Sequence, residues 1–363
     1  MKKLRIISLC LSLLLLTACG AQAEPAPRED SEPLRTVTDA SGRQVALPEE
    51  ITSVVCVGVG ALRYTTYLQA QDLVVGVEQG EQTATIAKPF SYFNRERFTA
   101  LPVTGDNGTT YDEDILRLAP DVIVAYLDAG TADSLQSRTG IPVVTIPLNE
   151  GIFDDAALAT LSLLGEVYHR EGRAQELTDY LLAARADLDS RTRDIPEGDK
   201  PTVYVAGVSY KGAHGFEGTE AGYPPLAAIH ARNLADRTGQ SGPFSIDTEQ
   251  VLQWDPDVIF LDWNGMGLIR ENHAVNPDFY GSLSAAENGR LYSQISFRSS
   301  ATNAELALAD AYYAGTVLYP EQFAGIDPAE KFNEIFRVML GVEDAYSQYA
   351  AQGYTFTTLK LGE

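Results

Sequence analysis

The segments TTYDEDILRLAPDVIVA (residues 109–125) and SIDTEQVLQWDPDVIFL (residues 245–261) align without a gap at an offset of 136 residues. Each segment predicts a short helix terminated by a proline, followed by a buried strand rich in β-branched residues. The offset is too long for a solenoid repeat and indicates two lobes of similar build. Two such lobes leave a cleft between them, where a ligand can bind.

The sequence around the two copies alternates between predicted strands and helices. For the first half we predict a β-hairpin at 36–48, strands at 54–58, 73–78, 121–126 and 142–146, helices at 61–69, 111–118, 131–138 and 154–165, and an irregular aromatic stretch at 83–100. For the second half we predict strands at 202–207, 257–262 and 291–296, helices at 223–231, 247–253 and 303–317, and a final helix at 328–339. This alternation is typical of mainly parallel sheets covered by helices.

A long, polar helical segment from His169 to Thr192 lies between the halves, with Leu181 and Leu188 on one side. We therefore predict an α/β fold of two Rossmann-like lobes with mainly parallel sheets, joined by one long α-helix. The predicted parts are a first lobe at 36–168, a connecting helix at 169–196 and a second lobe at 197–363.

The N-terminus has the pattern of an export signal. Three basic residues precede the apolar run from Ile6 to Leu16, which is too short to span a bilayer as a permanent helix. The following LTACG resembles a bacterial lipobox, which implies a signal peptide at 1–18, lipidation of Cys19 and a flexible tether at 19–35. A plain secretory signal is the alternative. We expect an extracytoplasmic protein that is attached to the cell membrane through lipid on Cys19.

The net charge of −23 excludes several classes of partner. An acidic surface repels nucleic acids and anionic lipid headgroups, and no basic stripe is present, so we expect no nucleic-acid partner. Solubility alone is a sufficient explanation of the charge. We expect a monomer.

Cysteine and histidine are scarce. Cys10 lies in the predicted signal and Cys19 is the predicted anchor, so Cys56 is left without a disulfide partner and reads as a core thiol. The four histidines, at positions 169, 214, 230 and 273, have no spacing typical of metal ligands. No Gly-x-Ser-x-Gly or zincin motif occurs either. We therefore predict no directly bound metal, no cofactor and no enzyme activity.

A partial dinucleotide motif follows the first buried strand. Gly58 and Gly60, with Glu78 at the end of the next strand, imitate the Rossmann fingerprint, but Arg63 stands where its third glycine belongs. A tight turn explains these glycines equally well.

The chain resembles class III substrate-binding proteins in four features. These are the lipobox, the paired PDVI strands, the single connecting helix and the hairpin pattern Asp39-x-x-Gly42-Arg43-x-Val45-x-Leu47-Pro48. The resemblance covers residues 36–340 and implies a receptor for an ABC importer of an iron chelate, haem or cobalamin. Segments 210–215 and 318–323 resemble members that carry iron. The implied partners are an ABC permease dimer and its ATPase.

Glu113 and Glu249 occupy equal places in the two copies. In the family, one glutamate on each lobe pairs with permease arginines, so the resemblance implies that these two residues dock the permease. The alternative is local, because Thr110-x-x-Glu113 also has the pattern of a capping box. Ile246 cannot cap in the same way, so this alternative suits Glu249 less well.

Ligands of parallel sheets bind beyond the carboxyl ends of the strands. We therefore predict a cleft wall from the residues that follow those ends, with Asp106 and Asn107 as further candidates. The predicted ligand-binding residues are Arg63, Tyr64, Tyr92, Tyr210, Lys211, His214, Tyr223, Trp263, Arg298 and Asn303. Basic residues in an acidic chain favour an anionic ligand, and aromatic rings supply apolar contact area.

The leading hypothesis is a receptor for an anionic ferric siderophore-like chelate. Haem, cobalamin and a molybdate-type oxyanion remain open, and Ser299, Ser300 and Thr302 are candidate hydroxyls for the oxyanion. Hypotheses of other classes are an exported enzyme that uses a nucleotide or metal and an adhesion or scaffold lipoprotein.

Overall fold

The computed structural model describes residues 34–148 and 151–362. The predicted signal peptide, Cys19 and most of the predicted tether lie outside these residues. The described residues contain two separate sheets with parallel cores, as the repeated segments predict. Among them, no helix is both long enough and apolar enough to cross a membrane.

The first sheet has six strands in the order β6-β5-β4-β3-β7-β8, and all neighbours except β5 and β6 are parallel. An antiparallel hairpin precedes it. The strands are β1 Leu34–Thr38 and β2 Gln44–Pro48 in the hairpin, then β3 Val54–Val57, β4 Val74–Glu78, β5 Val103–Asp106, β6 Thr109–Thr110, β7 Val122–Ala125 and β8 Val143–Thr145. The helices of this part are α1 Ala61–Tyr67, α2 Pro89–Tyr92, α3 Arg95–Phe98, α4 Asp112–Leu118, α5 Ala129–Thr139, α6 Asp155–Tyr168 and α7 Glu171–Thr192.

The second sheet is parallel and has the order β11-β9-β13-β14, with an antiparallel pair, β10 and β12, beside it. The strands are β9 Thr202–Ala206, β10 Gly218–Ala221, β11 Arg232–Asn233, β12 Gly242–Ser245, β13 Val258–Asp262 and β14 Leu291–Gln294. The helices are α8 Pro224–Ala227, α9 Thr248–Trp254, α10 Met266–Val275, α11 Pro277–Gly281, α12 Ser284–Glu287, α13 Ala304–Leu318, α14 Pro328–Leu340 and α15 Ala345–Ala351.

The two copies of the repeated segment occupy the same place in their sheets. In each copy a seven-residue helix leads into the strand next to the sheet edge, β7 or β13, which pairs in parallel with the first strand of that sheet. Asp121 accepts hydrogen bonds from the backbone N–H and hydroxyl of Thr52 at 2.7 and 2.8 Å. Asp257 accepts the same two bonds from Thr202, both at 2.7 Å. The internal repeat therefore extends to individual hydrogen bonds.

Alternating strand residues fill two layers of apolar packing. Val54 and Cys56 of β3 join a large cluster that also includes α7, α13, α14 and strand residues of the second sheet. Their neighbours on β3 face a smaller cluster that also contains residues of α4 and α5, and β9 and β13 repeat this pattern in the second lobe. Because the large cluster contains residues of both halves, the two lobes are packed against each other.

Several predicted boundaries are wrong. The long helix begins at Glu171, because His169 takes a left-handed conformation (φ 52°) that ends α6. The helix predicted at 223–231 ends at Ala227, and His230 is also left-handed. The irregular stretch 83–100 contains α2 and α3, and α15 follows the helix predicted to be final.

The capping box considered as the alternative role of Glu113 does not form. Helix α4 begins at Asp112, and Tyr111 before it makes no capping bond, while the hydroxyl of Thr110 donates to the Asp112 side chain at 2.6 Å. In the second copy, Asp247 caps α9 by accepting from the backbone N–H of Glu249.

Candidate functional site

Two cavities lie beyond the carboxyl ends of the parallel strands, one in each lobe, and Ser300 lines both of them. The first-lobe cavity, of about 360 Å³, is lined by Gly58, Val59, Glu78, Gly80, Glu81, Lys88, Asn107, Gly108, Thr109, Tyr126, Leu127 and Ser300. The second-lobe cavity, of about 570 Å³, is lined by Ser209, Tyr210, Lys211, Gly212, Ala213, Pro243, Asn264, Arg298, Ser300 and Ala301. Parallel strands bring the loops after their carboxyl ends to one edge, which explains why distant segments converge here.

The two cavities differ in charge. The second-lobe cavity has two basic side chains, Lys211 and Arg298, and no acidic residue in its lining. The lining of the first-lobe cavity contains two acidic residues, Glu78 and Glu81, and one basic residue, Lys88. Lys88 is engaged by the carbonyl of Gly80 at 3.0 Å and by Glu81 at 3.4 Å.

Glu78 holds the loops around the first-lobe cavity together. Its carboxylate accepts a hydrogen bond from the backbone N–H of Gly108 at 2.6 Å. Burial raises the pKa of Glu78, although backbone donors from Gly108 and Gly58 oppose this shift. Gly58, at φ 74°, packs against Tyr126 in a tight turn, so the glycine and acid of the partial dinucleotide motif have a structural explanation here.

Four residues that line these cavities have a strained backbone conformation. Asn107, Lys211, Ser300 and Ala301 line them and all have positive φ, at 48°, 50°, 53° and 67°. Side chains other than glycine adopt this region at a cost, and such strain clusters at functional sites. The loops that line the two cavities therefore include four of these uncommon backbone conformations.

Arg298 lies at the wall of the second-lobe cavity and forms an ion pair with a buried carboxylate beneath that wall. Its guanidinium forms two hydrogen bonds to Glu220, a carboxylate that is 2% exposed, one of them at 2.9 Å. Asp262 lies close by and accepts from the backbone N–H of Asn264 at 2.9 Å and from Ser296. Burial raises the pKa of Asp262 to about 7, and burial likewise raises that of Asp310. Arg298 thus lies close to two buried acids, Glu220 and Asp262.

Arg63 and Asn303 lie between the lobes, below the cleft surface. Arg63 is 2% exposed, and its Nε donates to Asn303 Oδ1 at 3.0 Å. Its Nη2 donates to the carbonyls of Ser299 and Ser300 at 2.9 and 2.5 Å. The structure thus places two predicted ligand residues behind the loop that lines both cavities.

The predicted aromatic residues divide between the cavity wall and the interior. Tyr210 lines the second-lobe cavity, and its hydroxyl contacts Ser245 at 2.8 Å. Its ring stacks, with 4.0 Å between centroids, on His214, which lies behind it and is not a lining residue of either cavity. Tyr64 and Tyr223 are buried in the core, because apolar ring area on α1 and before α8 faces inward.

Two more predicted residues do not line either cavity. The ring of Tyr92 lies near Arg95 and its hydroxyl accepts from Gln352 at 3.1 Å, whereas Trp263 donates to the carbonyl of Thr355 at 3.2 Å. Gln352 and Thr355 belong to the C-terminal segment that follows α15, for which the sequence pattern predicts no secondary structure. Asp106 ends β5, and the neighbouring Asn107 lines the first-lobe cavity.

Sequence reasoning missed Ser209, Asn264 and Tyr126 at the cavities and Glu220 beneath them. The first three lie within three residues of the ends of β9, β13 and β7, so the rule on carboxyl ends could have found them. Glu220 gives no such signal, because its partner is 78 residues away.

Glu113 and Glu249 are both exposed in the first turns of α4 and α9. They occupy equivalent positions in the two copies of the repeated segment. Cys56, in contrast, is buried beside Thr65, and burial raises the pKa of its thiol to about 12.

A third cavity, of about 680 Å³, is larger than either of these two but lies elsewhere. It is bounded by α7, residues 151–154 and residues 222–230. Because it lies away from the converging carboxyl ends of the parallel strands, we place the candidate site at the two cavities that meet at Ser300. Within the described ranges, no group of three or more His, Cys, Asp or Glu residues is arranged to hold a metal ion.

Known proteins share this architecture. The periplasmic binding protein family matches residues 64–294. The molybdate-binding protein MolA of Haemophilus influenzae is 24% identical over 332 residues, which cover 84% of this chain and 90% of MolA.

Among solved structures, a periplasmic solute binding protein from Veillonella parvula has a TM-score of 0.70 at 18% identity, covering 87% of this chain and 95% of that one. MolA bound to molybdate has a TM-score of 0.66 at 20% identity, covering 85% and 98%. The family match spans more than half of the chain, and the two-lobed fold agrees with it. The chain therefore belongs to the periplasmic binding protein family, the extracytoplasmic solute-binding proteins of ABC transporters.

Proposed function

We propose that this chain is a lipid-anchored receptor that captures an anionic metal chelate, of the ferric siderophore kind, between its lobes. It then delivers the chelate to an ABC permease dimer with its ATPase. The lipid is attached to Cys19, and the tether at 19–35 gives the lobes reach above the membrane.

The observation that carries the proposal is the charge of the second-lobe cavity. Lys211 and Arg298 line it in a chain of net charge −23, and because Arg298 is paired with the buried Glu220, Lys211 supplies the positive charge that faces the ligand. A basic cavity in an acidic protein focuses field lines inward and attracts anions. Tyr210 adds apolar ring area at the same wall, which suits an organic chelate.

The size of the site favours a chelate over a small ion. Cavities of about 570 and 360 Å³ that meet at Ser300 fall in the range that encloses organic ligands. A tetrahedral oxyanion fills a small part of this space. A chelate that contacts both lobes also explains why strained loops from both sheets converge.

Delivery requires a surface that the permease can recognise on both lobes. Glu113 and Glu249 supply one exposed carboxylate each, at equivalent positions. Two charges set far apart fix orientation and steer encounter more than they add affinity. We assign them to permease docking.

Molybdate is the second candidate, and the similarity to MolA favours it. The Ser299–Thr302 segment supplies hydroxyl groups beside Arg298, and hydroxyls with a cation suit an oxyanion. Haem and cobalamin are less favoured, since Tyr210 and His214 are stacked on each other. The alternative of another class is an exported enzyme that uses a nucleotide or metal.

A thermal-shift panel on residues 34–363 tests the proposal. The panel contains ferric siderophores, haemin, cobalamin, molybdate and bare divalent ions. Binding raises the melting temperature with ligand concentration, and an excess of about 100 times Kd stabilises by about 2.7 kcal/mol. We expect the ferric complexes to give the largest shift. Stabilisation by molybdate alone selects the second candidate, and stabilisation by bare ions alone contradicts both. Turnover of a nucleotide would support the enzyme.

A further inference from the structure

The loop Arg298–Thr302, here called the ligand loop, forms the boundary between the two cavities. It is closed by a bridge between Arg298 and Thr302 and by a bond of 3.1 Å from Ser299 N–H to the carbonyl of Ala301. Ser300 and Ala301 are consecutive residues with positive φ. Two such residues in a row persist only where the surroundings fix the backbone.

The surroundings that fix the ligand loop come from the first lobe. Nη2 of Arg63, on α1, binds the carbonyls of Ser299 and Ser300, and its Nε binds the side chain of Asn303. The guanidinium carbon lies 4.9 Å from the centre of the Phe90 ring, which closes its other side. A planar cation with several donors in fixed directions is suited to hold two adjacent carbonyls.

Asn303 completes the connection from within the second lobe. It is fully buried, and its Nδ2 donates to the carbonyls of Phe297 at 3.0 Å and Ser299 at 3.3 Å. The same amide group lies 3.2 Å from the carbonyl of Ala87 in the first lobe. Both ends of the ligand loop therefore depend on polar contacts that cross between the lobes.

We propose that Arg63 is a positioning residue. It holds the ligand loop in its strained conformation and so couples the relative position of the lobes to the shape of both cavities. The inference rests on the proposed function, because it takes these cavities as the ligand site. Movement of α1 away from the second lobe withdraws the guanidinium, relaxes Ser300 and Ala301, and weakens the site.

Hydrogen–deuterium exchange of peptides that cover 297–304, without any ligand, tests the proposal directly. Ser299 and Asn303 N–H groups are hydrogen-bonded within this segment. We expect exchange to be about tenfold faster in Arg63→Gln, with Arg63→Lys intermediate because it keeps one cationic donor. Tyr349→Phe is the matched control, since it removes another buried bond between the lobes, from Tyr349 to the Ile86 carbonyl at 2.8 Å.

The control should exchange within about twofold of the wild type over 297–304. Equal acceleration in Tyr349→Phe, or none in Arg63→Gln, overturns the proposal. If Arg63→Gln does not fold, Arg63→Lys against the same control gives the answer. Ferrioxamine B is the probe for affinity, and Arg63→Lys should weaken it by about tenfold with little change from Tyr349→Phe. Failure of the wild type to bind this probe counts against the chelate and leaves the exchange result intact.

Discussion

The two lobes share a scaffold and diverge where the repeated strands, β7 and β13, end. Asp121 and Asp257 make matching bonds at the start of these strands. At the other end, Tyr126 lines the first-lobe cavity with 38% of its surface exposed. Its counterpart at an offset of 136 residues, Asp262, is 4% exposed below Arg298. The amino ends of the strands thus preserve the fold, and the carboxyl ends carry the difference in chemistry.

The largest expected effect concerns docking, where the lobes should act alike. Glu113→Ala combined with Glu249→Ala should reduce uptake to background in cells that depend on this importer, with ligand affinity unchanged. Each single variant should give a partial loss of similar size, because each lobe supplies one carboxylate. Glu96→Ala with Glu287→Ala is the control, since both residues are exposed and the charge change is the same. Parallel loss of ligand affinity would indicate a structural role.

Asp262, at the carboxyl end of β13, should make the stability of the protein depend on pH. Its pKa is near 7 in the folded protein against 3.8 as the ordinary value. The folded state therefore holds the proton more tightly, and stability falls as pH rises from about 4 to 7, by up to about 1.4 kcal/mol per pH unit. Asp262→Asn should flatten this slope in urea unfolding at pH 5 and pH 8. An unchanged slope would mean that the pH dependence of stability comes from another buried acid, such as Asp310.

Substitution of Asp121 and of Asp257 tests whether these matching hydrogen bonds contribute equally to stability in the two lobes. Partial burial opposes ionisation of both, but bonds from Thr52, Ser53 and Thr202 outweigh it and lower their pKa values. Stability from these groups is therefore present above about pH 4 and lost below it. Alanine at either position should cost about 1–3 kcal/mol, with the larger loss at Asp121, which also accepts from Ser53 N–H at 2.9 Å. Urea unfolding at pH 7 measures both; a larger loss at Asp257 would reverse the comparison.

The smallest effect concerns the residues that end the repeated helices. Ala119 and Asp255 are both left-handed, at φ 45° and 43°. Ala119→Gly should stabilise by about 1 kcal/mol, because glycine adopts this conformation without steric cost. Asp255→Gly should give no gain, since it removes the bonds that Asp255 accepts from Ser284 at 2.9 and 2.6 Å. Melting temperatures of the two variants check this difference, and equal gains would contradict it.

Sequence patterns predicted the scaffold well because hydrophobic periodicity and proline positions are local signals. The paired PDVI strands, α4, α9 and α13 are confirmed in type and place. Short elements with little periodicity, such as β10, β12 and α15, were missed. The site was harder to predict, since it depends on which distant residues meet. Nothing near Arg63 in the sequence indicates that Ser299 and Ser300, more than 230 residues away, use its donors.

The central claim is that the basic second-lobe cavity captures an anion, whereas the acidic first-lobe cavity does not. Lys211→Gln and Lys88→Gln remove the same charge from the two cavities. Titration calorimetry with the ferric complex that gives the largest thermal shift compares them. The account predicts that Lys211→Gln weakens binding by about tenfold and Lys88→Gln by about twofold or less. Equal losses, or a larger loss from Lys88→Gln, would contradict it.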